Sequence, residues 1–221
     1  VDAGHASLVL LLMPPAMNPA DPGPSFPPPP NHPHGGDAPS PWVQRWIHLI
    51  EKRGEVLDLA CGHGRHMRHL AEHGFRPVGV DRNPEALAQA QAWGETCLAD
   101  VENHAWPFPG RVFDAVLITN YLWRPLLPQI LASLALKGVL IHETFAQGNE
   151  TVGRPSRPDF LLRHGELLQM CQGLHIVAYE NGFIDHPARF VQRVVAVQMG
   201  HDPSPAQRYP LSLESGLTPT L

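Results

Sequence analysis

Cysteine is scarce in this chain. There are three, Cys61, Cys97 and Cys171, far apart and with no CxxC pair. That pattern argues against a disulfide framework or a structural zinc site, and a reducing, cytoplasmic setting is expected. Charge is sparse as well. Charged residues make up 17% of the 221, the formal net charge is −5, and no run of Lys or Arg occurs. Proteins that work on nucleic-acid phosphates carry a positive footprint, so no nucleic-acid partner is expected. Long apolar runs are missing too. The stretch Ala6–Met13 is apolar over only eight residues, whereas a membrane span needs about 20. It has no basic flank or small-residue cleavage site, so it does not read as a signal peptide, and no membrane partner is expected. Val1 stands first, and Met13 or Met17 is the expected start.

Proline is abundant, with 25 residues, and it gathers at the N-terminus around the run Pro27–Pro30. Such a stretch cannot hold a helix or a ladder. The expected organisation is therefore a disordered segment over 1–40, one folded domain over 41–199, and a flexible tail over 200–221. The 43% of hydrophobic residues is enough for a real core in the middle part.

From Trp42 the pattern changes. Trp42, Val43, Trp46, Ile47 and Ile50 recur at helical spacing, with Ser40 as cap and Pro41 in the first turn. Strands are expected at Glu55–Ala60, Arg76–Val80, Thr96–Ala99, Phe113–Thr119 and Gly138–His142. Helices are expected at Arg65–His73, from Pro84 to about Trp93, and at Pro125–Leu136. Alternating helices with strands apolar on both faces predict a parallel sheet covered on both sides. Leu174–Tyr179 and Arg189–Gln198 are strand-like with no helical pattern between them, which predicts an antiparallel hairpin closing the sheet.

The central motif is Val56-Leu57-Asp58-Leu59-Ala60-Cys61-Gly62-His63-Gly64-Arg65-His66. An apolar strand runs into a glycine turn that opens a helix, where backbone can approach a ligand and N–H groups are free. A dinucleotide site wants GxGxxG, and the third position here is Met67. S-adenosylmethionine (SAM) suits the sequence better. It carries no phosphate and is cationic at its ammonium and sulfonium, so carboxylates near it help. Asp81, ending the second strand 19 residues after Gly62, can accept from both ribose hydroxyls. Asp100, after the third strand, is placed for the adenine amino group, with Val101 beside the ring.

These motifs together resemble class I SAM-dependent methyltransferases. The resemblance rests on Leu57–His66, Val78–Leu87 and Leu98–Glu102 in order and spacing, and on the terminal hairpin, and it spans Val56 to Gln198. The stretches Thr119–Pro125 and Glu143–Phe145, with Gly148–Gly153, are similar to the small tellurite-resistance-like branch. What the resemblance implies is a Rossmann-like three-layer α/β/α sandwich. Its seven-stranded sheet has the order 3-2-1-4-5-7-6 with strand 7 antiparallel, and SAM lies over the carboxyl ends of strands 1 to 4. The cofactor residues expected on this basis are Asp58, Ala60, Gly62, Gly64, Asp81, Arg82, Asp100, Val101 and Asn120.

Strands 4 and 5 end where an acceptor would sit. Tyr121, Glu143 and His142 are the candidate catalytic groups. No NPPY or DPPY tetrapeptide follows strand 4, which counts against base N-methylation and favours a small-molecule or metalloid acceptor, with a monomer or homodimer as the working unit. The loop Gln147–Phe160 offers Arg154 and Arg157 to an anion. His66, His69 and His73 share one helix face but lack further ligands, so no metal is expected. Cys61 reads as a small packing residue. A non-catalytic SAM-binding module and an NAD-dependent oxidoreductase are the competing readings.

Overall fold

A computed structural model describes residues 38–200 and 208–211. The proline-rich segment up to residue 37, the expected start at Met13 or Met17, and most of the C-terminal tail lie outside the described residues.

Helix α1 (Pro41–Trp46) comes first. The Trp42 amide donates to the Ser40 hydroxyl at 3.1 Å, and Pro41 fills a position whose N–H would be unpaired anyway. The strands are β1 (Glu55–Leu59), β2 (Arg76–Asp81), β3 (Glu95–Leu98), β4 (Phe113–Thr119), β5 (Leu134–Phe145), β6 (His175–Asp185) and β7 (Ala188–Val197). Between them run α2 (Arg65–Glu72), α3 (Pro84–Ala90), α4 (Leu127–Ala132) and α5 (Glu166–Met170). The sheet order is β3-β2-β1-β4-β5-β7-β6. Strands β1 to β5 are parallel, and β7 is antiparallel to both neighbours. This is the Rossmann-like three-layer sandwich that the resemblance implied.

Side chains alternate across a strand, and the two faces sort cleanly. Val56, Ala115, Leu117, Val139, Ile141 and Val195 pack against Trp42, Val43, Trp46 and Leu70 of α1 and α2. Leu57, Leu59, Val116, Ile118, Leu140 and Val194 pack against Ile130 of α4 and Leu167 of α5. Helix α3 joins the first face through Met67, Leu87 and Ala90. Across β5 this alternation puts Glu143 on the α1/α2 face and His142 on the other.

Some boundaries move. The helix expected over Pro125–Leu136 is a 3-10 turn, Arg124–Leu126, followed by the short α4. Pairing pulls the rest into β5, where Leu134 meets Phe113 and the Lys137 amide donates to the Gln198 carbonyl. The strand pair β6 and β7 is longer than expected. Only residues 186–187 are left in the connection, because Asn181, Gly182 and Phe183 pair across to Gln192, Val191 and Phe190. Helix α5 has too few residues to show a period and was not expected. No described helix is long and apolar enough to cross a membrane.

Candidate functional site

The site is built along the carboxyl edge of the sheet, starting from the turn after β1. Ala60, Gly62 and Gly64 all take positive φ, at +57°, +55° and +79°. The requirement for glycine differs at the two glycine positions. A Cβ on Gly64 would stand 2.8 Å from the Ala90 Cβ, so Gly64 lets α2 and α3 touch. A Cβ on Gly62 would meet nothing within 4 Å. Beside Gly62 the backbone therefore faces open space, as a ligand platform requires.

Asp81 is tied to this turn. Its Oδ2 accepts the Gly62 amide at 2.8 Å, and its Oδ1 accepts the Asn83 amide at 2.9 Å. The Ala99 amide donates to the Asp81 carbonyl at 3.0 Å, which brings the end of β3 alongside. Asp100 then caps its own turn, accepting from the Glu102 amide at 3.0 Å and the Asn103 side chain at 2.8 Å. The Asn103 bond holds its carboxyl below the usual range, so it is an anion at neutral pH. Both aspartates thus stand at adjoining strand ends on one edge, with lone pairs to spare. Arg82 is exposed and lies close enough to bias Asp100 and Tyr121. Val101 is half-buried beside them.

Asp58 is different. It is buried and its Oδ2 lacks a hydrogen-bond partner. Burial pushes its pKa up to about 7, a rise that Arg65 opposes and Asp81 assists. His66 approaches it at 3.9 Å, too far for a hydrogen bond. The ring's tautomer follows from its other side. The Ser40 amide donates to His66 Nε2 at 3.1 Å, so the proton sits on Nδ1, facing Asp58 and the Thr119 hydroxyl. Burial pushes His66 down to about 3. His66 is a neutral spacer at working pH, not an acid or base.

The ends of β4 and β5 meet where the Asn120 amide donates to the Glu143 carbonyl at 2.9 Å. Asn120 turns the chain over with φ +55°, a conformation that asparagine tolerates. Glu143 is 1% exposed. Its Oε1 accepts the Ser40 hydroxyl at 2.9 Å, and Arg193 and Arg189 lie 3.3 and 3.7 Å from its oxygens. Tyr121 is half-buried, and burial with the neighbouring Glu102 and Asp100 carboxylates pushes its phenol well up. A phenol so raised stays protonated at neutral pH. Tyr121 packs against the α4/α5 face and His142 lies on that face too, so neither adjoins the Glu143 carboxylate. His142 is buried, bonded to the Tyr121 carbonyl at 3.3 Å, and burial pushes it down to about 4.

Other candidates also separate from the edge. Arg157 pairs with Asp159 at 2.9 Å and both are exposed, and Arg154 is exposed too. Burial and two nearby aspartates push the Cys61 thiol up, which fits a packing residue. No cluster of three metal-ligating side chains occurs among the described residues. Ser40, Arg65, Arg189 and Arg193 belong to the site and were not read as such from sequence. The signal for the last two is period two along β7, which places Arg189 and Arg193 on the face shared with buried Val191 and Val195.

The residues fit SAM. Asp58 has an orphaned buried carboxylate oxygen that would suit an ammonium, Gly62 has open backbone, and Asp81 and Asp100 have acceptors that would suit a sugar and a base.

A family model described as a methyltransferase domain matches residues 56–136. Over 48 residues the chain is 44% identical to the putative methyltransferase YqeM of Bacillus subtilis, and this stretch spans 19% of that relative and 21% of this chain. Among solved structures, TehB from Haemophilus influenzae superposes with a TM-score of 0.56 at 18% identity, over 69% of this chain and 59% of that one. A SAM-dependent methyltransferase from Methanosarcina mazei superposes with a TM-score of 0.58 at 14% identity, over 73% of this chain and 99% of that one.

Proposed function

We propose that this chain is a class I SAM-dependent methyltransferase that moves the methyl group of SAM onto a small molecule; the methyltransferase-domain match and the fold support this reading. The observation that carries the reading is the Asp81–Gly62 bond at 2.8 Å, with Asp100 at the adjoining strand end. It joins the glycine turn to the carboxylates that would read a nucleoside.

When bound, SAM supplies an activated methyl on a sulfonium. The chain's own task is then to hold the nucleophile in line and keep water out, since proximity and orientation supply most of the acceleration. Asp58 faces the ammonium. Asp81 takes the ribose hydroxyls and Asp100 the adenine amino group, with Ala60, Gly62, Gly64, Arg82, Val101 and Asn120 lining the path. Glu143 receives the proton of an acceptor that carries one, and Tyr121, near Glu102 and Asp100, serves as a hydrogen-bond donor at the cofactor end of the crevice. His142, neutral and on the far face, has no part.

Titration calorimetry tests this. SAM binds the wild type, and Asp81→Ala weakens it by about 1.5–3 kcal/mol, the worth of hydrogen bonds to a charged group. Unchanged affinity in that variant would sink the assignment.

A further inference from the structure

We infer that the acceptor is an organic molecule bearing a carboxylate, gripped by Arg189 and Arg193 of β7. The inference rests on the methyl-transfer reading above.

Strand β7 carries two arginines on a face whose other residues, Val191, Val195 and Val197, are buried. A charge on such a face is costly unless it is paired. Arg193 is in register with Glu143 on one side and Glu180 on the other, so the three form a row across β5, β7 and β6. Yet Glu143 must serve Arg193, Arg189 and the Ser40 hydroxyl at once. Glu180 is shared with Arg45. Arg65 also lies near Glu143 and Arg189.

The pairing that results is incomplete. Arg193 Nε stands 3.3 Å from Glu143 Oε2, but neither atom makes a hydrogen bond, and Arg189 Nε is also buried without one. Native interiors rarely leave buried donors unmet, and the two Nε–H groups point to an acceptor that would complete them. The Arg193 guanidinium is held in place by packing over the Trp42 ring at 5.4 Å, and Trp42 is anchored through the Ser40 cap. Both arginine side chains remain partly accessible, at 18% and 16%.

The missing group is an anion with two coplanar oxygens, because a guanidinium fork matches a carboxylate in that geometry. It is not the cofactor's own carboxylate. Strand β7 is the third strand from β1, about 14 Å away at the spacing of neighbouring strands. Arg65, at the start of α2 beside the glycine turn, is the nearer cation for that end of SAM. Arg189 and Arg193 flank Glu143 instead, so an acceptor anchored on them presents its nucleophile to Glu143.

Benzoate and benzamide test the inference on protein saturated with S-adenosylhomocysteine, with binding read by calorimetry. Benzoate is expected to bind, and benzamide at least about tenfold more weakly, the factor that loss of a charge-assisted bond carries. Arg189→Gln and Arg193→Gln should each weaken benzoate about tenfold or more while leaving SAM affinity within about twofold. Arg193→Gln is open to misfolding because Arg193 holds the buried Glu143. Arg189, 3.7 Å from that carboxylate, gives the cleaner variant, with Arg189→Lys expected to recover part of the affinity. Equal binding of acid and amide, or binding of benzoate unchanged in Arg189→Gln, would overturn the inference and leave methyl transfer standing. Arginine-dependent binding of selenite without benzoate would overturn it in favour of an inorganic oxyanion. A wild type that binds no SAM would instead remove the reading beneath it.

Discussion

The two halves of the carboxyl edge are built in opposite ways. Around β1, β2 and β3 the site is mostly backbone and near neighbours. The Asp81 carboxylate meets amides at positions 62 and 83, and Asp100 meets positions 102 and 103. Around β4, β5 and β7 it is made of side chains far apart in the chain. Ser40 reaches 103 residues to Glu143, and Arg193 comes to Glu143 across the β5–β7 pairing. The first half is a surface of turns that, in the proposed reading, a cofactor would complete. The second is a buried charge network that also holds the fold. The lesson is that substitutions at Asp81 and Asp100 in the first should damage cofactor binding and spare stability, while those at Glu143 and Arg193 in the second should damage stability and acceptor binding.

Glu143→Ala gives the largest break in that comparison. It removes the shared carboxylate and leaves two arginines poorly compensated, which should cost about 3 kcal/mol, the low end for a broken buried pair. Chemical denaturation measures it. Glu143→Gln keeps the Ser40 bond and should cost less. A stability loss in Glu143→Ala no larger than in Asp81→Ala would erase the distinction between the halves.

Gly64→Ala comes next, at about 2 kcal/mol, because the new Cβ meets Ala90 in a left-handed backbone. It tests whether the turn has any structural duty beyond the cofactor. A melting curve unchanged from wild type would say it has none. Ser40→Ala should cost about 1 kcal/mol as a lost helix cap, with a further loss from freeing Glu143. The companion Ser40→Thr should recover most of it.

A test of a different kind, read along pH and not from a substitution alone, is the pH dependence set by Asp58. Its folded pKa, about 7, is raised above the ordinary 3.8, so the native state holds a proton that the unfolded chain has lost. The contribution to stability is full below about pH 4 and is lost as pH rises through about 7. A cationic ligand facing Asp58 favours its ionised form. SAM affinity should therefore fall as pH drops below about 7, and Asp58→Asn should flatten both dependences. Calorimetry at pH 6 and pH 8 shows the sign, and an affinity that rises on acidification would remove Asp58 from the site.

The first half of the edge was legible in the sequence because its chemistry is local. A glycine turn after an apolar strand, and carboxylates at the next two strand ends, carry their meaning in spacing alone. The same holds for the helix cap at Ser40 and for the parallel sheet. What misled the reading was residues judged one at a time. His142 and Glu143 are neighbours in sequence, but a strand sends them to opposite faces. The helix expected through Leu136 gave way to pairing with β7, a partner some 60 residues on.

By itself the amino-acid order determined where the strands turn and which backbone a nucleoside can approach, since local φ preferences and apolar periodicity act over a few residues. Only the tertiary structure decided that buried Ser40, His66 and Glu143 stand beside the half-buried Arg189 and Arg193. Their contacts depend on strand register and on burial, and burial alone separates a neutral spacer histidine from a charged one.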